Sequence, residues 1–97
     1  MATLYVTEFA DVNATQGVII PKQPVVAEQT VAIGGTSTQS SAFNQRTMYV
    51  TLSTDAICSI SVDSNPTATA TKMRMPANSS VTFQVPQGAK VAVITNT

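Results

Sequence analysis

The sequence predicts an all-β protein, an antiparallel β-sandwich of jelly-roll or immunoglobulin-like form with about seven to eight short strands. Three observations carry this expectation. Short segments alternate apolar with small polar residues at period two, turn signals separate them at short intervals, and no segment carries an amphipathic helical pattern of useful length. A small barrel would share all three features, so whether the sheet edges close stays open at this stage.

Along the chain, Thr3 to Phe9 sets Leu4 and Val6 against Tyr5 and Thr7, as either a first strand or an arm reaching a neighbour. From Ala10 to Pro24 the pattern lapses at Asp11, Asn13, Gly17, Pro21 and Pro24, around the short apolar run Val18, Ile19 and Ile20. Residues 1–24 are accordingly read as an amino-terminal arm or irregular segment, with or without a first strand, and residues 25–97 as the sandwich core. Val25 to Ile33 reads as a strand with Glu28 and Gln29 at its middle. Gly34 to Gln45 is a polar, low-complexity loop whose one large apolar residue, Phe43, either anchors it on the core or faces a partner.

Thr47 to Val62 holds the strongest pattern. Met48, Val50 and Leu52 precede Asp55, and Cys58, Ile60 and Val62 follow it. A hairpin centred on Asp55 would pair Leu52 with Cys58, Val50 with Ile60 and Met48 with Val62, all on one face. Its three-residue loop would place Ala56 where glycine is favoured, so a corner at Asp55 that carries the chain from one sheet to another is the second option.

Asp63-Ser64-Asn65-Pro66 is a turn, and Thr67 to Ala70 is read as a connection between sheets. Met73 and Met75 alternate with Lys72 and Arg74 as a short amphipathic strand. Val81, Phe83 and Val85 are expected to pair with Val93, Val91 and Ala89 in a hairpin through Pro86-Gln87-Gly88, with Gly88 in the left-handed position. Ala92 and Ile94 make the final strand apolar on both faces, which predicts a central or covered position.

Ninety-seven residues make one domain, with an expected radius of gyration of roughly 13 Å. Five basic and five acidic residues balance to zero, and the bases are dispersed, so no electrostatic footprint for nucleic acid or a membrane surface exists. Only 10% of the chain is charged and about a quarter is Ser or Thr, a surface that tolerates close neighbours and suits a subunit of an assembly. The amino terminus lacks a secretory pattern, which places synthesis inside the cell.

Catalysis finds little to use. There is no His, the single cysteine Cys58 lies in an apolar row, and Glu8, Asp11, Glu28, Asp55 and Asp63 stand singly in separate segments. No metal-ligand spacing, phosphate-cradling loop or nucleophile elbow is written in the chain, so neither enzyme activity nor a cofactor or metal is expected.

The stretches Gln29-Thr30-Val31-Ala32-Ile33-Gly34-Gly35, Thr54-Asp55-Ala56-Ile57-Cys58, Asn65-Pro66-Thr67-Ala68-Thr69 and the ending Val85-Pro86, Gly88 and Lys90 to Ile94 together resemble small virion proteins of tailed bacteriophages. The resemblance covers roughly Val25 to the carboxyl terminus and rests on structural motifs. It implies a β-sandwich that binds other virion proteins, foremost the major capsid protein, as a cement or decoration protein, made in the host cytoplasm and carried in the virion. A head–tail junction or tail accessory protein is the neighbouring alternative. From a different class comes a small glycan- or ligand-binding module using the loop tips at Gly34 to Phe43 and Asp63 to Thr69. The residues expected to contact a partner are Leu4, Tyr5, Val6, Phe9, Val18, Ile19, Ile20 and Phe43, in a chain expected to form homo-oligomers.

Overall fold

The computed structural model describes residues 2–10, 12–15, 18–21 and 25–97. Among them are ten strands: β1 (Thr3–Phe9), β2 (Val12–Thr15), β3 (Val18–Pro21), β4 (Ala27–Ala32), β5 (Thr38–Gln39), β6 (Tyr49–Thr54), β7 (Cys58–Asp63), β8 (Met73–Met75), β9 (Ser79–Gln84) and β10 (Lys90–Thr95). Eight of them form two four-stranded antiparallel sheets, ordered β4-β1-β6-β9 and β5-β10-β7-β8, while β2 and β3 pair with each other in a separate ribbon. The radius of gyration is 12.8 Å, the size expected of one domain.

The sheets stack through a single core. Leu4, Val6, Val31, Val50 and Leu52 of the first sheet meet Cys58, Ile60, Met75, Val91 and Val93 of the second, all buried. Period-two alternation produces this arrangement because it gives each strand one apolar face, and two such faces exclude water only when placed against each other. From β4 onward every connection but β7 to β8 crosses between the sheets. This is jelly-roll connectivity with one rearrangement: the place beside the β4 strand that a jelly roll gives to its last strand is taken by β1.

Two expected arrangements differ in the structure, and two alternatives left open by the sequence are decided. The chain does turn the corner at Asp55, so β6 and β7 lie in different sheets and Leu52 does not pair with Cys58; β6 pairs instead with β1 and β9. The Thr54 hydroxyl donates to the Ala56 carbonyl at 2.6 Å and accepts from the Ala56 N–H at 3.2 Å, and Asp55 Oδ1 accepts the Thr3 N–H at 2.8 Å, which fixes the corner without glycine. The expected hairpin of β9 with β10 is likewise a sheet-to-sheet crossing. Gly88 nevertheless adopts the left-handed conformation, φ 72°, because the tight turn needs it whatever the strands do next.

The remaining two concern one connection and the first strand. Residues 64–72 join β7 to β8 within one sheet, where a crossing was expected. And Thr3–Phe9 is no arm: it is an inner strand of the first sheet, paired on both sides. β10 is also an inner strand, and it is buried on both faces at Val91, Ala92 and Val93.

Candidate functional site

Among the described residues, Glu8 is the one carboxylate that the fold places out of solvent, at 2% exposure. It lies in β1 beside edge strand β4, under residues 40–47. Its Oε1 accepts the Asn44 N–H at 2.8 Å and the Thr47 hydroxyl at 2.7 Å, and its Oε2 accepts from Gln29 Nε2 at 3.4 Å. Gln29 in turn accepts the Ser41 N–H at 2.9 Å and donates to the Ser41 carbonyl at 3.2 Å. Charge-assisted bonds from backbone and hydroxyl donors can hold a buried carboxylate without a cationic partner. The arrangement anchors a loop to a strand and presents no reacting group to solvent.

The same loop is tied to the second sheet, where Ser40 and Phe43 donate their N–H groups to the carbonyls of Val91 and Ala89, each at 2.8 Å. Phe43 is buried among core residues. The loop tips 34–43 and 63–69 are joined to each other: Gln39 Nε2 donates to Asn65 Oδ1 at 2.9 Å and to the Pro66 carbonyl at 2.7 Å, and the Ala68 N–H donates to the Ser37 hydroxyl at 2.9 Å. These bonds tie the two loop tips into one surface and occupy Gln39 Nε2, Asn65 Oδ1 and the Ser37 hydroxyl.

The residues expected to meet a partner therefore separate into three groups. Leu4, Val6, Phe9 and Phe43 are buried, so their place as contact residues is withdrawn: Leu4, Val6 and Phe43 belong to the core between the sheets, and Phe9 is buried at the end of β1 outside that cluster. Tyr5 lies on the outer face, 48% exposed. Val18, Ile19 and Ile20 form most of β3, and their side chains lie outside the described residues.

Sequence reasoning passed over an apolar cleft of about 260 Å³ between the layers on the β8–β9 side, lined by Ile60, Ser61, Val62, Met73 and Phe83. Its signal was present in the short Met73–Met75 strand, which covers only Cys58 to Ile60 of β7. Cys58 is buried and its thiol donates to Thr54 Oγ1 at 3.6 Å; burial pushes its pKa up, against the lowering effect of that hydrogen bond, and the Asp55 charge adds to the rise. A thiol so placed is a core side chain and not a nucleophile. Among the described residues no three His, Cys, Asp or Glu side chains gather as metal ligands would.

No family model, curated protein or solved structure matches the chain.

Proposed function

We propose that the chain is a structural protein of a tailed-bacteriophage virion, a cement or decoration protein that binds the shell through protein–protein contacts. The observation that carries this reading is the β2–β3 ribbon. It leaves the first sheet after β1, pairs within itself and, among the described residues, with no other strand, and returns at β4, which is the immediate neighbour of β1. A sandwich does not need it, since β1 and β4 could be joined by a tight turn. A two-stranded ribbon of this length is marginal alone in water, and this one carries Val18-Ile19-Ile20 in sequence. A partner surface gives such an element its stability. The low charge of the chain suits dense packing on a lattice, where many weak copies gain strength by avidity. The mutually bonded loop tips weigh against a ligand-binding module.

The test replaces residues 11–24 by Asn-Gly, a two-residue turn that suits the β1–β4 pairing, and compares this variant with the full chain on particles purified from cells that make it. Imaging is expected to find the full chain at regular positions on the shell, and the variant folded but unbound. Particles lacking the chain, or a variant that binds equally, overturn the proposal.

A further inference from the structure

Of the four edges of the two four-stranded sheets, three are protected in recognised ways. β4 carries Glu28 and is held to Ser41 through the Gln29 side chain. β5 is two residues long, and β8 is three residues with Arg74 at its centre. The fourth edge, β9, differs: Ser79–Gln84 has six residues with neither charge nor proline, and among the described residues nothing pairs with its outer side.

The direction of its free groups follows from the ladder. Val85 donates its N–H to the Met48 carbonyl at 2.8 Å, and the β6–β9 register continues from that pair. Antiparallel ladders alternate bonded and non-bonded pairs. Ser79, Val81 and Phe83 therefore turn their N–H and C=O groups toward β6, and Ser80, Thr82 and Gln84 turn theirs outward.

We infer that β9 pairs with β9 of a second copy about a two-fold axis through Thr82. Centring on Thr82 sets Thr82 against Thr82 and Ser80 against Gln84, so all three outward-facing residues of each strand are bonded. The alternative centre on Val81 leaves Gln84 unused. A centre between residues would oppose an outward group to an inward one. The Thr82 register also sets Val81 beside Phe83 of the other copy on the inner face, in a non-bonded pair where side chains approach most closely.

Val81 and Phe83 are half-buried against the core, and Phe83 lines the cleft with the exposed Met73. Pairing thus extends an apolar surface across the axis. The strand meets its own copy without like-charge repulsion, because it has no charge to repeat. The β4-β1-β6-β9 sheets of the two copies become one continuous sheet, through an isologous contact that closes on itself. This pairing is independent of what the β2–β3 ribbon binds.

Sedimentation equilibrium across a concentration series tests the inference, with circular dichroism to verify folding. The wild-type chain is expected to form a dimer. Thr82→Pro removes the outward donor on the axis and leaves the β6 ladder intact, a tolerated place for proline, and should give a folded monomer. The pair Ser80→Lys/Gln84→Lys opposes like charges and should weaken the dimer at least tenfold, whereas Ser80→Lys/Gln84→Glu opposes unlike charges and should restore it. A wild-type chain that stays monomeric overturns the inference, as does a dimer indifferent to both double variants.

Discussion

The Thr47 hydroxyl donates to the Glu8 carboxylate at 2.7 Å across 39 residues of chain, and both residues are buried. One bond joins the first strand to the end of the loop between β5 and β6. With the Asn44 N–H on the same oxygen, it sets where the chain re-enters the sandwich as β6. Thr47→Val keeps the shape and removes the hydroxyl, so it should cost about 1.5–3 kcal/mol, the range for a bond to a charged group. Urea unfolding measures this, with the midpoint lowered and the slope unchanged.

Val50 is fully buried in β6 and Ile60 is 2% exposed in β7. They lie in opposite layers of one core. An aspartate at either position has no partner, and burying its charge should cost more than about 4 kcal/mol. Val50→Asp and Ile60→Asp should each abolish cooperative thermal unfolding. A soluble variant with a native melting profile would contradict the inward assignment.

The strands were legible and their partners were not. Alternation tells which face of a strand is apolar, and it found the rows of β1, β6, β7, β9 and β10. Two apolar rows joined by a turn can lie side by side in one sheet or face each other across the core, and both arrangements bury Leu52 and Cys58. The sequence therefore left the corner at Asp55 open and misassigned β9 to a hairpin with β10. Turn chemistry was read correctly at Gly88 because it is local. The Glu8 site had no such signature: its donors Gln29, Asn44 and Thr47 stand 21, 36 and 39 residues away, and only the fold brings them together.

Gly88 has φ 72°, and a Cβ added there would meet only Gln45 Nε2 at 3.8 Å, an ordinary contact. The cost of a side chain is thus one of backbone conformation alone. Gly88→Ala should destabilise by about 1–2 kcal/mol, the penalty of the left-handed region for an L-residue. Differential scanning calorimetry should show a lowered melting temperature with the dimer or monomer state unaltered.

Burial raises the pKa of Cys58. The folded chain therefore keeps the thiol proton to higher pH than the unfolded chain does. This contribution to stability is fully present below the ordinary thiol value and declines as pH rises through it, because the unfolded chain then ionises first. Wild-type stability should fall more steeply above about pH 8.5 than that of Cys58→Ala, when each is compared with its own value at neutral pH. The folded protein should also resist thiol reagents until it unfolds. Rapid labelling under native conditions would contradict the buried placement.

The position of β1 has a consequence for chain order. The Ile33 N–H donates to the Ala2 carbonyl at 3.1 Å, and the Thr95 N–H donates to the Gly34 carbonyl at 3.0 Å. Two adjacent residues thus hold the start of β1 and the end of β10 near each other. Joining Thr97 to Ala2 through a flexible linker of about five residues, and opening the chain between β2 and β3, would place β1 after β10 in sequence. That is the order of an unpermuted jelly roll, and no core contact changes. Such permutations succeed where the new ends lie outside the packed elements. The permuted chain should fold with the same circular dichroism spectrum and a melting temperature within a few degrees of the original, since the sheets gain and lose no pairing. A permuted chain that fails to fold would show that the β1–β4 connection through the ribbon is required for the sandwich, contrary to the reading of the ribbon as an added element.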